Sequence, residues 1–148
     1  MRCFFGKITH IADSVGHCLV PAERVHNDTI LTLSPYGQIA EKQLFALKER
    51  YDFVTIDKYV IMPNHIHAIL ILDGETAGAS PRPTLSDIIC AYKSLTTRNC
   101  NQIGNCKGRQ IFQNSFYDRI ITSEEGYLEV WQYIDENPRK WQNDEYYI

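Results

Sequence analysis

The chain has 148 residues, 44% of them apolar, which suffices for the core of one ordinary domain and predicts a single domain over residues 1–148. Its formal charge of −3 excludes a general nucleic-acid coat protein, because such proteins neutralise many phosphates with an excess of Lys and Arg. No run of about 18 apolar residues is present, so no helical membrane span is expected.

The N-terminal MRCFFGKITH lacks the small-residue cleavage site that follows the apolar stretch of a signal peptide, and the expected location is cytoplasmic. Over the first 35 residues, short β-like runs (CFF, HCLV, TILTL) alternate with polar breaks and predict two or three strands. From Gln38 to Arg50 the period becomes helical: Ile39, Leu44, Leu47 and neighbouring Phe45 share a flank that Glu41, Lys42, Lys48 and Glu49 largely avoid. Strand signals follow at Phe53 to Ile56 and Tyr59 to Met62. After Pro63-Asn64, the run from His65 to Leu72 is rich in β-branched residues.

Residues 73–83 contain Gly74, Gly78, Pro81 and Pro83 and predict a loop or flap. A helix is expected next, with Thr84 and Asp87 at its cap and Leu85, Ile88, Ile89, Tyr92 and Leu95 at helical spacing, which leaves Lys93 and Arg98 outside. Residues 99–109 are polar and predict a loop, and a last strand is expected around Phe116 to Ile121. The final helix is marked by Thr122 with Glu125 in capping-box spacing, is expected to dock through Leu128, Trp131 and Ile134, and is expected to stop at Pro138.

Cys3, Cys18, Cys90, Cys100 and Cys106 are odd in number and form no close CxxC pair, so reduced structural thiols are expected and a zinc ribbon is not. Charge is unevenly distributed. Residues 89–121 carry Lys93, Arg98, Lys107, Arg109 and Arg119 against the single acid Asp118, a local excess of +4 that leaves −7 on the rest. One basic segment in an acidic chain fits a focused anion site, and equally a solvated basic loop.

On a strand, side chains alternate with period two, so His65 and His67 project from one face while Ile66 points away. Such a pair can chelate a divalent ion, although two histidines on one face of a half-exposed strand are more often surface or hydrogen-bonded residues than ligands. On the last helix, Tyr133 and Asn137 stand one turn apart. Pro138 disfavours helical geometry at Asn137, which would free its amide to turn toward a ligand.

Together, YVIMPNHIHAILIL, YKSLTT, FQNSFYDRII and YIDENP resemble the REP-associated tyrosine transposases and related single-tyrosine HUH transposases, over about Leu31 to Trp141. The resemblance implies a ferredoxin-like α+β fold of the HUH endonuclease type. We expect an antiparallel sheet of four or five strands with the HUH strand central and the helices packed on one face. It also implies Tyr133 as nucleophile and His65, His67 and Asn137 as ligands of Mg²⁺ or Mn²⁺. The implied activity is nicking and rejoining of single-stranded DNA beside a hairpin, through a covalent phosphotyrosine. Lys93, Arg98 and Arg119 are the candidate DNA contacts, and Tyr117, beside Asp118 and Arg119, is a weaker candidate nucleophile.

A non-cutting binder of single-stranded or hairpin DNA and a metal-dependent phosphohydrolase are the alternative readings. Relative to the family, the usual first strand is expected to be missing and residues 9–29 to be an insertion. Either the insertion supplies a substitute strand or a second subunit, as in a homodimer, covers the sheet edge.

Overall fold

The computed structural model describes residues 7–14, 22–25, 28–31, 33–74 and 81–140. The runs CFF and HCLV, together with Cys3 and Cys18, lie outside these residues. In chain order the elements are β1 (Lys7–Ser14), β2 (Ala22–Val25), β3 (Asp28–Leu31), α1 (Pro35–Arg50), β4 (Val54–Ile61), β5 (His65–Leu72), α2 (Leu85–Ile103), β6 (Tyr117–Ile121) and α3 (Glu124–Lys140).

The main sheet is antiparallel, in the order β4-β5-β1-β6, and β2 and β3 form a separate two-stranded ribbon. The histidine-bearing strand β5 is therefore interior. Residues 9–14, which fall in the expected insertion, belong to β1, and β1 is hydrogen-bonded between β5 and β6.

Local chemistry explains the helix ends. Ser34 caps α1 by accepting a hydrogen bond from the Gly37 amide at 3.2 Å, and Pro35 occupies the first turn, where a missing N–H costs nothing. This start lies three residues before the expected one. Thr84 and Asp87 form the anticipated capping box of α2. That helix runs on to Ile103 instead of ending before Asn99, because Cys100 is buried and continues the stripe of Leu85, Ile88, Ile89, Tyr92 and Thr96. The polar residues of this stretch belong to the helix and not to a loop: Gln102 is exposed, and the half-buried Asn101 donates its amide to the Arg109 carbonyl at 2.9 Å.

Helices on one face of the sheet were expected; they pack on both. Ile66, Ala68 and Leu70 of β5 face α1 and α2, where Leu44, Leu47, Ile88, Ile89 and Tyr92 complete the core. Ile69 faces the other way, onto Ile121 of β6 and Tyr127, Val130 and Ile134 of α3. The physical reason is visible in β5: every residue from His65 to Leu70 is buried, and a strand apolar on both faces needs cover on both. On the α1 side, the Tyr59 hydroxyl donates to Glu41 at 2.7 Å, and burial together with that carboxylate pushes the phenol up to about 12.

Candidate active site

The position of α3 decides the geometry of the site. It docks through Tyr127, Val130, Ile134 and Asn137, spaced i, i+3, i+7 and i+10, a helical stripe that excludes Leu128 and Trp131. Those two, expected as docking residues, are 57% and 38% exposed. The cap is Ser123 rather than Thr122: its hydroxyl accepts from the Gly126 amide at 3.1 Å, and its carbonyl accepts from the Tyr127 amide at 3.0 Å.

Pro138 does not end the helix, which continues to Lys140, and Asn137 is helical and buried instead of frayed. A proline's local preference is worth only a few kcal/mol, and here the docked stripe that ends at Asn137 outweighs it. Arg139 and Lys140 also sit favourably at the negative end of the helix dipole.

A bulge in β4 locks α3 to the sheet. The register slips between Ile56 and Lys58, so two consecutive residues, Asp57 and Lys58, both reach α3 while Ile56 and Tyr59 turn to the other face. Asp57 accepts a hydrogen bond from the Tyr127 hydroxyl at 2.5 Å. Lys58 pairs with Asp135 at 2.5 Å and lies 3.8 Å over the Trp131 ring. Removing the hydroxyl by Tyr127→Phe leaves Asp57 without that donor and is expected to cost about 1.5–3 kcal/mol of stability, measured by urea unfolding. A loss below about 0.5 kcal/mol would mean that the contact does not hold the helix.

Passing from Tyr127 at Asp57 to Asp135 at Lys58, α3 advances along β4 in the direction that leads along β5 from Ile69 toward His67 and His65. Tyr133 meets His67 accordingly: their rings stand edge to face with centroids 5.1 Å apart. The rings of His65 and His67 lie 4.8 Å apart at 79°, on one strand face as alternation required. Both are buried, 1% and 2% exposed, whereas Tyr133 is 43% exposed.

His65 Nδ1 lies 2.8 Å from the side-chain oxygen of Asn64, an acceptor that favours the tautomer with the lone pair on Nε2. The Nε2 atoms of both histidines are buried. Asn137 carries a more telling feature: among the described residues, neither its amide oxygen nor its amide nitrogen has a hydrogen-bond partner, although both are buried. A buried primary amide left so is costly unless a ligand engages it. Among the described residues no cluster of three or more His, Cys, Asp or Glu exists, so an ion at this place would draw on two imidazoles and one amide. That donor set suits a divalent cation that keeps other positions for water or phosphate oxygens.

The three candidate DNA contacts do not share one face of the sheet. Lys93 and Arg98 lie on α2, on the face away from the histidines, and the Lys93 ammonium donates to the carbonyls of Gln113 and Ser115, both at 2.9 Å. Arg119 lies on β6. Its backbone partner His10 also pairs with Ile69, which places Arg119 on the histidine face. Tyr117 shares that face, because Ala12 pairs with both His67 and Tyr117.

A REP-associated tyrosine transposase solved with a REP hairpin superposes with a TM-score of 0.65 at 19% identity, over 100% of this chain and 74% of that one. A candidate transposase from Deinococcus radiodurans R1 superposes with a TM-score of 0.53 at 15% identity, over 92% of this chain and 95% of that one. The chain has the fold of these transposases. An uncharacterized protein of Haemophilus influenzae is 29% identical over 110 residues, 64% of this chain and 60% of that relative, so the chain spans about three fifths of the relative's length. No protein-family model matches the chain.

Sequence reasoning missed four residues that build the site of this transposase-like fold. Asn64 orients His65, and its position directly before the first histidine was a usable signal. Asp57, Lys58 and Tyr127 hold α3 in place. The bulge that aligns the first two leaves no mark in composition, since Ile56 to Tyr59 reads as ordinary alternation broken by two charges.

Proposed function

We propose that the protein nicks and rejoins single-stranded DNA beside a hairpin, with the Tyr133 hydroxyl as nucleophile and His65, His67 and Asn137 holding Mg²⁺ or Mn²⁺. The observation that carries this reading is the Tyr133 ring standing 5.1 Å from that of His67, on the same helix as the buried amide of Asn137. The hairpin-bound transposase of the same fold supports hairpin DNA as the substrate.

When bound, the ion would act as a Lewis acid, polarising the scissile phosphate and offsetting charge on its oxygens. The remaining work falls to the chain's own groups. Tyr133, 43% exposed with its ring against His67, supplies the attacking oxygen. That oxygen attacks phosphorus and loses its proton; the bond from phosphorus to one flanking sugar oxygen breaks, and that oxygen departs as a hydroxyl after gaining a proton. The reverse step rejoins the strand, because the tyrosyl phosphodiester retains the bond energy. Asn64 keeps the His65 ring turned, and the Asp57 and Lys58 contacts fix the helix that carries the nucleophile.

Incubating the protein with end-labelled hairpin DNA that has single-stranded flanks, in Mn²⁺, tests this. A covalent protein–DNA product on a denaturing gel is expected. Binding without any such product would favour a non-cutting binder, and free cleaved DNA without adduct would favour a phosphohydrolase.

A further inference from the structure

On the sheet face opposite the histidines, the outer side of α2 and the chain from Gln110 to Phe116 enclose a cleft of 630 Å³. That volume falls within the range of about 300–1,000 Å³ that ligand sites occupy. Its walls are Ile89 and the half-buried Phe116, with Lys93 and Arg98 among its lining residues and, among the described residues, no acidic one. In a chain of net charge −3, a cleft whose charged lining residues, among those described, are both cations is a place for an anion.

The aromatic wall is held by a cation. Lys93 bonds the carbonyls of Gln113 and Ser115 and sits 5.6 Å from the Phe116 ring, so the ring stands beside positive charge on a braced segment. A flat ring with an attached anion matches this combination, and an unpaired nucleotide is such a group. Bases stack on aromatic side chains whatever their sequence, while Arg and Lys meet the phosphate. A base within a duplex has its faces covered by its neighbours and could not enter.

We propose that this cleft holds one unpaired nucleotide of the DNA strand, its base against Phe116 and Ile89 and its phosphate at Arg98 and Lys93. The inference rests on the reading of the protein as acting on single-stranded DNA. Because α2 and α3 cover opposite faces of the sheet, the nucleotide held here is a flanking one, not the one at the scissile phosphate. The site would fix the path of the strand around the sheet and so select DNA with an unpaired flank.

Cys90 is exposed and lines the cleft, which makes it a reporter. Without divalent metal, so that no strand is cut, the full chain is treated with N-ethylmaleimide in the presence and absence of a hairpin oligonucleotide with single-stranded flanks. Alkylation at Cys90 is followed by peptide mass spectrometry. Bound DNA is expected to slow it at least about fivefold, and a blunt hairpin without flanks is expected not to. Arg98→Gln and Phe116→Leu are each expected to weaken binding of the flanked hairpin about tenfold and to lose the protection, with unchanged Cys90 alkylation in the free protein.

Flanked DNA that binds yet leaves Cys90 alkylation unchanged would overturn the proposal, as would equal protection by the blunt hairpin or wild-type affinity in both variants. If no DNA binds at all, the proposed function falls first and this site with it.

Discussion

Tyr133→Phe is expected to abolish the covalent protein–DNA product, by at least about 1,000-fold, the scale on which loss of a nucleophile acts. The substitution removes one oxygen and keeps the ring that stands against His67, so stability should change by no more than about 0.5 kcal/mol and DNA affinity should be little altered. The competing nucleophile is Tyr117, which is more exposed, at 56%, and shares the histidine face of the sheet. Distance separates the two. Tyr117 stands two strands from His67, roughly 10 Å at the usual strand spacing, whereas the Tyr133 ring centroid is 5.1 Å from that of His67. Tyr117→Phe is therefore expected to leave the product largely intact. An adduct formed by Tyr133→Phe and lost in Tyr117→Phe would reverse the assignment, and labelled DNA on a denaturing gel reads both.

Some of this arrangement was legible from residue order, because it depends on local periodicity. His65 and His67 lie on one face since a strand permits nothing else, and Thr84 with Asp87 announced the start of α2. What could not be read depends on tertiary contacts. The side of the sheet that α3 covers follows from the burial of β5 on both faces; HIHAILIL has the near-continuous apolar character of such a strand, yet only packing assigns a helix to each side. The docking stripe of α3 was misplaced because Leu128 and Trp131 are apolar, although Trp131 serves as a platform for Lys58 at the helix flank. Likewise Pro138 marked a stop that the buried Asn137 overrides. Lys93 looked like an outward charge and is in part a strut for the chain that lines the cleft.

Metal binding offers a test that does not depend on cutting. If His65, His67 and Asn137 hold the ion, Mn²⁺ at about 100 times its dissociation constant should add roughly 2.7 kcal/mol to the folded state, an upward shift of about 6–10 °C in the melting temperature of a chain this size. His65→Ala, His67→Ala and Asn137→Ala should each erase most of that shift. Both histidines are buried, so their Ala variants also test packing. Replacing either ring by Ala leaves a void and should cost about 2 kcal/mol or more even without metal. The decisive quantity is therefore the Mn²⁺-induced shift within each variant, not its absolute melting temperature. Asn137→Asp sharpens the test by sign. A carboxylate of the same shape, buried without a partner, should lower the melting temperature of the metal-free protein, while a bound cation should compensate the charge and make the Mn²⁺ shift larger than in the unaltered chain. A shift that persists unchanged in all three Ala variants would place the ion elsewhere, and one that Asn137→Asp fails to enlarge would remove Asn137 from the ligand set.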